Sequence, residues 1–192
     1  MNKEVLRQIF LEKRLTLSKS EWIKRNEMLI SVFLKEIDLS EVKVLHIFLP
    51  IEIKREPNTW LLIDKLWEKY PGIRIVVPKT MWQTRSMDNF ILEDRNQVEE
   101  TDMGIPEPVS GERIDDKTID MVIVPLIIFD KGGNRLGFGK GFYDVFFKKC
   151  RKDIKKVGFS ISSPLDRIPY MEDHDITLDQ CVTPYGVINF KV

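Results

Sequence analysis

The chain has 192 residues, with thirty basic and thirty acidic side chains and a hydrophobic share of 43%. The length suits one domain with a sizeable core, and the apolar share excludes a disordered chain. A formal net charge of zero excludes broad electrostatic attraction to nucleic acid or an anionic membrane, but allows a local anion site built from a few groups.

In chain order, Val5, Leu6, Ile9 and Phe10 fall at helical spacing among Lys3, Arg7 and Lys13, which predicts a first helix. Ser18 followed by Glu21 reads as a capping box for a second, with Trp22, Leu29, Ile30, Phe33, Leu34 and Ile37 as its stripe. The near-continuous apolar runs Val42 to Leu49 and Ile73 to Val77 read as buried strands ending at Pro50 and Pro78. Between them Trp60, Leu61, Ile63, Leu66 and Trp67 form a helical pattern stopped by Pro71-Gly72. Strand, helix and strand at this spacing make a βαβ unit, hence a parallel sheet covered on both faces. The polar stretch Met81 to Lys117 holds a strand at Met87 to Leu92 and a turn at Gly104 to Pro108. Ile119 to Val124 is the next buried strand. A helix carrying Phe142, Val145, Phe146 and Lys149 follows, then a strand over Lys156 to Ile161 and an edge strand over Gly186 to Val192. The expected fold is a three-layer α/β/α single domain, residues 1–192, with a mostly parallel sheet and an N-terminal helical hairpin.

No stretch approaches the ~20 apolar residues of a membrane helix, and Met1 to Lys19 is charged throughout, unlike a signal peptide. Cys150 and Cys181 have no metal-ligand spacing and are expected to be unpaired thiols, which suits a reducing, cytoplasmic setting. His46 falls in a buried strand and reads as a core residue. His174 has no evident acid–base partner, and two histidines are too few for a histidine metal centre. Ser160, Ser162 and Ser163 lack the surroundings of a nucleophile elbow.

The chemistry is concentrated in Asp130 to Asp144, which follows a buried strand and enters a helix. Gly132, Gly133, Gly137, Gly139 and Gly141 allow backbone amides to approach a ligand without an intervening Cβ, and a helix N-terminus favours anions. The helix dipole supplies only ~0.3–2 kcal/mol, so Arg135 and Lys140 must add charge-assisted bonds. Asp144, in the first helical turn, is placed to hold Mg²⁺ beside phosphates. The register is neither a Walker A loop nor a Rossmann fingerprint. On spacing alone, a flexible connection with solvated charges stays open.

The run Arg135-Leu136-Gly137-Phe138-Gly139-Lys140-Gly141-Phe142-Tyr143-Asp144, preceded by Pro125 and by Phe129-Asp130 and Gly133, resembles the signature of the 5-formyltetrahydrofolate cyclo-ligase family. The resemblance covers nearly the whole chain. Lys3 with Leu6-Arg7 is similar to the family's N-terminal basic motif, Glu56 to Trp60 to its folate-contacting acidic segment, and Gly104 to Pro108 to its central turn. His174-Asp175, Asp179 and Thr183-Pro184 are similar to its C-terminal motif. Departures include Leu126-Ile127-Ile128 after Pro125, Pro57-Asn58 in the acidic segment, Ser162-Ser163-Pro164, and extra residues near Ile51 to Arg55 that make Glu52 a rival to Glu56.

The resemblance implies ATP-dependent conversion of 5-formyltetrahydrofolate to 5,10-methenyltetrahydrofolate. It implies an ATP site of Lys3, Arg7, Arg135, Leu136, Gly137, Phe138, Gly139, Lys140, Gly141, Phe142 and Tyr143, with Lys140 and Arg135 stabilising the transferring phosphoryl group. A folate site of Glu56, Phe138, Gly139, Lys140, Gly141 and Phe142 follows, with Asp144 and Asp179 holding Mg²⁺. The expected partners are these small molecules, with no nucleic acid and no membrane, on a monomer or weak homodimer. Two other readings stay open: a folate- or nucleotide-binding module without turnover, and a sugar-phosphate isomerase or CoA transferase, which also bind anions after parallel strands.

Overall fold

Caps set the first two helices. The Asn2 side chain accepts the Val5 N–H at 2.9 Å, opening α1 (Lys3–Leu15), and the Ser18 hydroxyl accepts the Glu21 N–H at 3.1 Å, opening α2 (Lys19–Glu36). The other half of the expected capping box is replaced. The Glu21 carboxylate takes the Arg25 guanidinium at 2.7 Å, an (i, i+4) charge-assisted bond that outcompetes a neutral amide. These features come from a computed structural model that describes residues 2–169, 171 and 175–190; His174 lies outside the described residues. The two helices expected as a hairpin serve different cores: Leu6 of α1 joins Ile128, Leu136 and Ile168, whereas Leu29, Ile30 and Phe33 of α2 belong to the main core.

The remaining elements are β1 (Val44–Ile47), α3 (Trp60–Lys69), β2 (Arg74–Met81), β3 (Ser86–Ile91), β4 (Val98–Glu100), β5 (Pro106–Pro108) and β6 (Met121–Pro125). After them come β7 (Ile128–Phe129), β8 (Arg135–Leu136), α4 (Phe142–Phe147), β9 (Lys155–Phe159), β10 (Gln180–Thr183) and β11 (Gly186–Asn189). Seven strands form one sheet in the order β11-β10-β9-β6-β1-β2-β3. Its five central strands are parallel, and β11 and β3 are antiparallel edges. Alternation along each strand sorts the apolar side chains. Leu45, Ile47, Ile75, Val77, Ile123 and Phe159 pack with α2 and α3 on one face. Val44, Val76, Val122 and Val124 pack with Phe146 and Phe147 of α4 on the other. Each such side chain, fully buried, stabilises the fold by roughly 1.5–3 kcal/mol. The expected three-layer, mostly parallel architecture is the one observed.

Several boundaries differ from the sequence reading. β2 runs through Pro78 to Met81, because its pairing with β1 stops at Val76 and the residues beyond pair only with β3. On that side a missing N–H breaks no ladder bond. α4 ends at Phe147 and has six residues, too short for a strong dipole, so charged side chains carry more of any anion affinity. The small pairs β4–β5 and β7–β8 and the inner strand β10 were not foreseen, being too short for a periodic signal.

Candidate functional site

The glycine-rich block divides in two. Its first half is a structural turn: buried Asp130 accepts the N–H groups of Gly132 (2.9 Å) and Asn134 (3.0 Å) through Oδ1, and that of Ile168 (2.8 Å) through Oδ2. Gly133 has φ +83°, and a Cβ there would stand 2.8 Å from the Phe190 ring. This turn closes the β7–β8 hairpin and delivers Arg135 to Asp144 to a cavity of about 270 Å³.

The cavity opens beyond the carboxyl ends of the parallel strands, where residues after β1 (Phe48, Leu49) and Pro125 at the end of β6 contribute to its wall. Such crevices are the usual ligand sites of open α/β sheets. Lys3, Arg7, Glu56 and every residue from Arg135 to Asp144 line it, so distant segments converge on one space. Asp179 is not among the lining residues. Its Oδ2 accepts the backbone N–H of Lys156 at 2.7 Å and pairs with that residue's Nζ at 2.9 Å, which ties the start of β10 to β9. The later carboxylate that does line the cavity is Asp175.

The cations have distinct settings. Lys3 Nζ pairs with Asp175 Oδ2 at 2.7 Å, joining α1 to the C-terminal segment. Arg7 donates from Nε to the Gly137 carbonyl at 2.9 Å, so it braces the glycine loop as well as charging the cavity. Arg135, with a side chain 7% exposed, pairs with Asp144 at 2.8 Å and donates to the Ile176 carbonyl. Its guanidinium therefore orients a carboxylate rather than projecting freely. Lys140 is exposed on the cavity wall. Gly139 and Gly141 have φ +81° and +76°, the left-handed region in which glycine costs least.

Glu56 is 3% exposed and accepts the Ile51 N–H at 2.7 Å. Burial pushes its carboxyl above the usual range, opposed by that hydrogen bond and by the charges of Arg14 and Lys54. Its rival Glu52 lies in an exposed 3₁₀ turn and is not among the lining residues. Tyr143 packs edge-on to His46 and Phe146, and burial, with the Glu56 charge, raises its phenol. It contributes ring surface rather than a proton. Sequence reasoning missed Lys54, whose Nζ sits 4.5 Å from the centre of the Phe138 ring, and Trp82, perpendicular to Phe142 at 5.2 Å. It also missed Glu107, which accepts the Thr80 N–H at 2.9 Å. Lys54 was visible only as one of the extra charged residues after Ile51, and Trp82 only as a large aromatic in a polar stretch.

Among the described residues no group of three or more His, Cys, Asp or Glu is gathered as for a metal ion, and the two carboxylates nearest to that role are each paired with a cation, Asp144 with Arg135 and Asp175 with Lys3. Asp144 and Asp175 bring carboxylate oxygens to the cavity, the ligand type hard cations take together with phosphate oxygens. The fold and site define an α/β protein with one crevice, lined by cations, glycines and aromatic rings, beyond the carboxyl ends of its parallel strands. The model of the 5-formyltetrahydrofolate cyclo-ligase family matches residues 1–184, and the chain belongs to that family. It is 26% identical over 182 residues to the 5-formyltetrahydrofolate cyclo-ligase of Mus musculus, covering 88% of each chain. It is 32% identical over 142 residues to that of Escherichia coli (strain K12), covering 69% of this chain and 74% of the other. A solved Aquifex aeolicus 5,10-methenyltetrahydrofolate synthetase superposes with a TM-score of 0.85 at 30% identity, covering 100% of this chain and 94% of that one. A Mycoplasma pneumoniae protein at 23% identity and TM-score 0.74 has the same fold. Among the described residues, no helix is long and apolar enough to cross a membrane, and both cysteines are free.

Proposed function

We propose that this protein closes the ring of 5-formyltetrahydrofolate to 5,10-methenyltetrahydrofolate at the expense of ATP, acting on small molecules in the cytoplasm. The observation that carries the reading is the convergence of Lys3, Arg7, Glu56 and the loop Arg135 to Asp144 on one cavity. An N-formyl group is an amide, so its carbon is a poor electrophile and its oxygen a poor leaving group. When the formyl oxygen attacks the γ-phosphorus and ADP departs, both problems are removed. The substrate's N10 then attacks the resulting iminium carbon, the carbon–oxygen bond breaks as phosphate leaves, and N10 gives up its proton. Both nucleophiles belong to the substrate, so the protein needs no covalent residue and contributes positioning and charge stabilisation.

The amides of Gly137, Gly139 and Gly141 cradle phosphate oxygens. Lys140 faces the transferring group, and Lys3 and Arg7 supply the nucleotide's other cations. Arg135 fixes Asp144. With Asp175, which lines the same cavity, Asp144 holds the Mg²⁺ that neutralises charge on the phosphates when bound. Glu56 accepts donors from the pterin, and Phe138 and Phe142 flank it. The test is the appearance of methenyl absorbance with Mg-ATP, parent against Lys140→Ala. A parent without turnover rejects the activity, and an unimpaired variant rejects the role of Lys140.

A further inference from the structure

Arg14, at the end of α1, is 4% exposed and is not among the residues lining the cavity. Its Nη1 donates to the Leu126 carbonyl at 3.1 Å, while Nε and Nη2 are buried with no hydrogen-bond partner among the described residues. A buried guanidinium with unmade bonds is costly, and a methionine of similar length would pack there without that cost. Two neighbours explain the charge. The centre of the Phe138 ring lies 5.9 Å from the guanidinium carbon, with Lys54 over the same ring. The buried Glu56 carboxylate feels the Arg14 charge through the interior.

We propose that Arg14 is a positioning residue for the folate half of the reaction, a buried cation shared between Glu56 and Phe138 that presents both to the pterin. The proposal rests on the reading that these two residues face the pterin. Burial holds the Glu56 carboxyl above the usual range and the Arg14 charge pulls it back toward the carboxylate, the form that accepts from two neighbouring pterin N–H donors. The charges of Arg14 from α1 and Lys54 from the 3₁₀ turn act on Glu56, whose own charge acts on Tyr143 from α4. Lys3, Arg7, Glu107, Arg135, Lys140, Asp144 and Asp175 share its cavity wall. Arg14 is buried, where solvent and salt screen it least, whereas Lys3, Arg7 and Lys140 are at least partly exposed. Arg7, on the same helix, braces the phosphate loop, so α1 serves both halves of the site.

The experiment has a ligand-free and a kinetic arm. Carbon-13 NMR of glutamate carboxyls, with the Glu56 signal assigned by Glu56→Gln, is followed from pH 4 to 9 in the parent and in Arg14→Met. Arg14→Met should move the Glu56 titration to higher pH than in the parent. In turnover assays Arg14→Met should raise the KM for 5-formyltetrahydrofolate about tenfold at neutral pH, change the KM for ATP less than twofold, and recover part of the loss as pH rises. Arg14→Lys should restore the parent pH profile. A Glu56 titration left in place by Arg14→Met, or by Arg14→Gln should Arg14→Met not fold, overturns the proposal. An equal rise in both KM values with no pH dependence overturns it as well. Should the parent bind no folate, the activity reading fails, while the NMR titration still decides whether Arg14 sets the charge of Glu56.

Discussion

Arg7 and Gly139 are in direct contact: a Cβ placed on Gly139 would stand 3.0 Å from the guanidinium carbon of Arg7, whose Nε holds the Gly137 carbonyl at 2.9 Å. The first helix and the glycine loop, 130 residues apart in sequence, are thus assembled as one unit. Gly139→Ala should therefore do two kinds of damage. Its φ of +81° costs a side-chain-bearing residue roughly 1–2 kcal/mol, and the new methyl displaces Arg7. The expected outcome is a lower melting temperature with at least a tenfold rise in the KM for ATP. Arg7→Lys, which cannot reproduce the guanidinium contact, should raise the KM without the backbone penalty. An ATP KM unchanged in both variants would mean that this loop does not hold the phosphates.

Asp144 and Asp175 line the cavity, whereas Asp179 serves the sheet. Asp144→Asn and Asp175→Asn should each raise the Mg²⁺ concentration for half-maximal activity by about tenfold or more, by analogy with the 10–100-fold typical of weakened metal shells. Asp179→Asn should leave that concentration within about twofold and instead lower stability by about 1 kcal/mol, the usual net worth of a hydrogen bond. A Mg²⁺ titration beside a urea melt separates the two effects. A large Mg²⁺ shift in Asp179→Asn would restore that residue to the metal site.

His46 is fully buried between Val76 and Val122, and burial lowers its pKa from 6.5 to about 3. Between these values the unfolded chain binds a proton that the folded one refuses. This group's contribution to stability is therefore complete above pH 6.5 and is lost as pH falls toward 3. The slope is about 1.4 kcal/mol per pH unit within that window. Urea unfolding at pH 7 and pH 5 should show a loss of roughly 2 kcal/mol from this source, absent in His46→Asn. Equal pH slopes in the two proteins would place the imidazole in a solvated setting.

The sheet was legible wherever its strands were long and buried on both faces. Val42 to Leu49 and Ile119 to Val124 have no polar alternation to confuse, and Pro125 is the last residue of β6. β10 escaped notice because Gln180 to Thr183 offers only two apolar residues. The glycine-loop wall of the cavity was legible because its glycines and cations are contiguous in sequence. The opposite wall was not, since it gathers Glu56, Trp82, Glu107 and Phe138 from four separate segments, and only the fold brings these together. The resemblance points to Asp179 for the metal, while Asp175 is the one of the two that lines the cavity. Four residues apart on an irregular segment, they point to different partners, and spacing does not distinguish them.

Trp82 makes that assembly testable. It sits at the β2–β3 turn, 42% exposed, with its ring perpendicular to that of Phe142 at 5.2 Å. Phe142 is the first residue of α4, directly after the left-handed Gly141. The edge-to-face pair couples the turn to the glycine loop and closes one side of the cavity. Such a pair contributes about 0.5–1.5 kcal/mol beyond buried area, which converts to about a 2- to 12-fold effect on binding. Trp82→Ala should raise the folate KM within that range while moving the melting temperature by only about 2–3 °C, because so exposed a side chain supports little of the core. Trp82→Phe retains an aromatic edge and should recover most of the affinity. In the parent, binding of folate should alter indole fluorescence, and that change should be reduced in Trp82→Phe. A folate KM unchanged in Trp82→Ala would show that the turn closes over solvent and that the pterin wall is made by Phe138 and Phe142 alone.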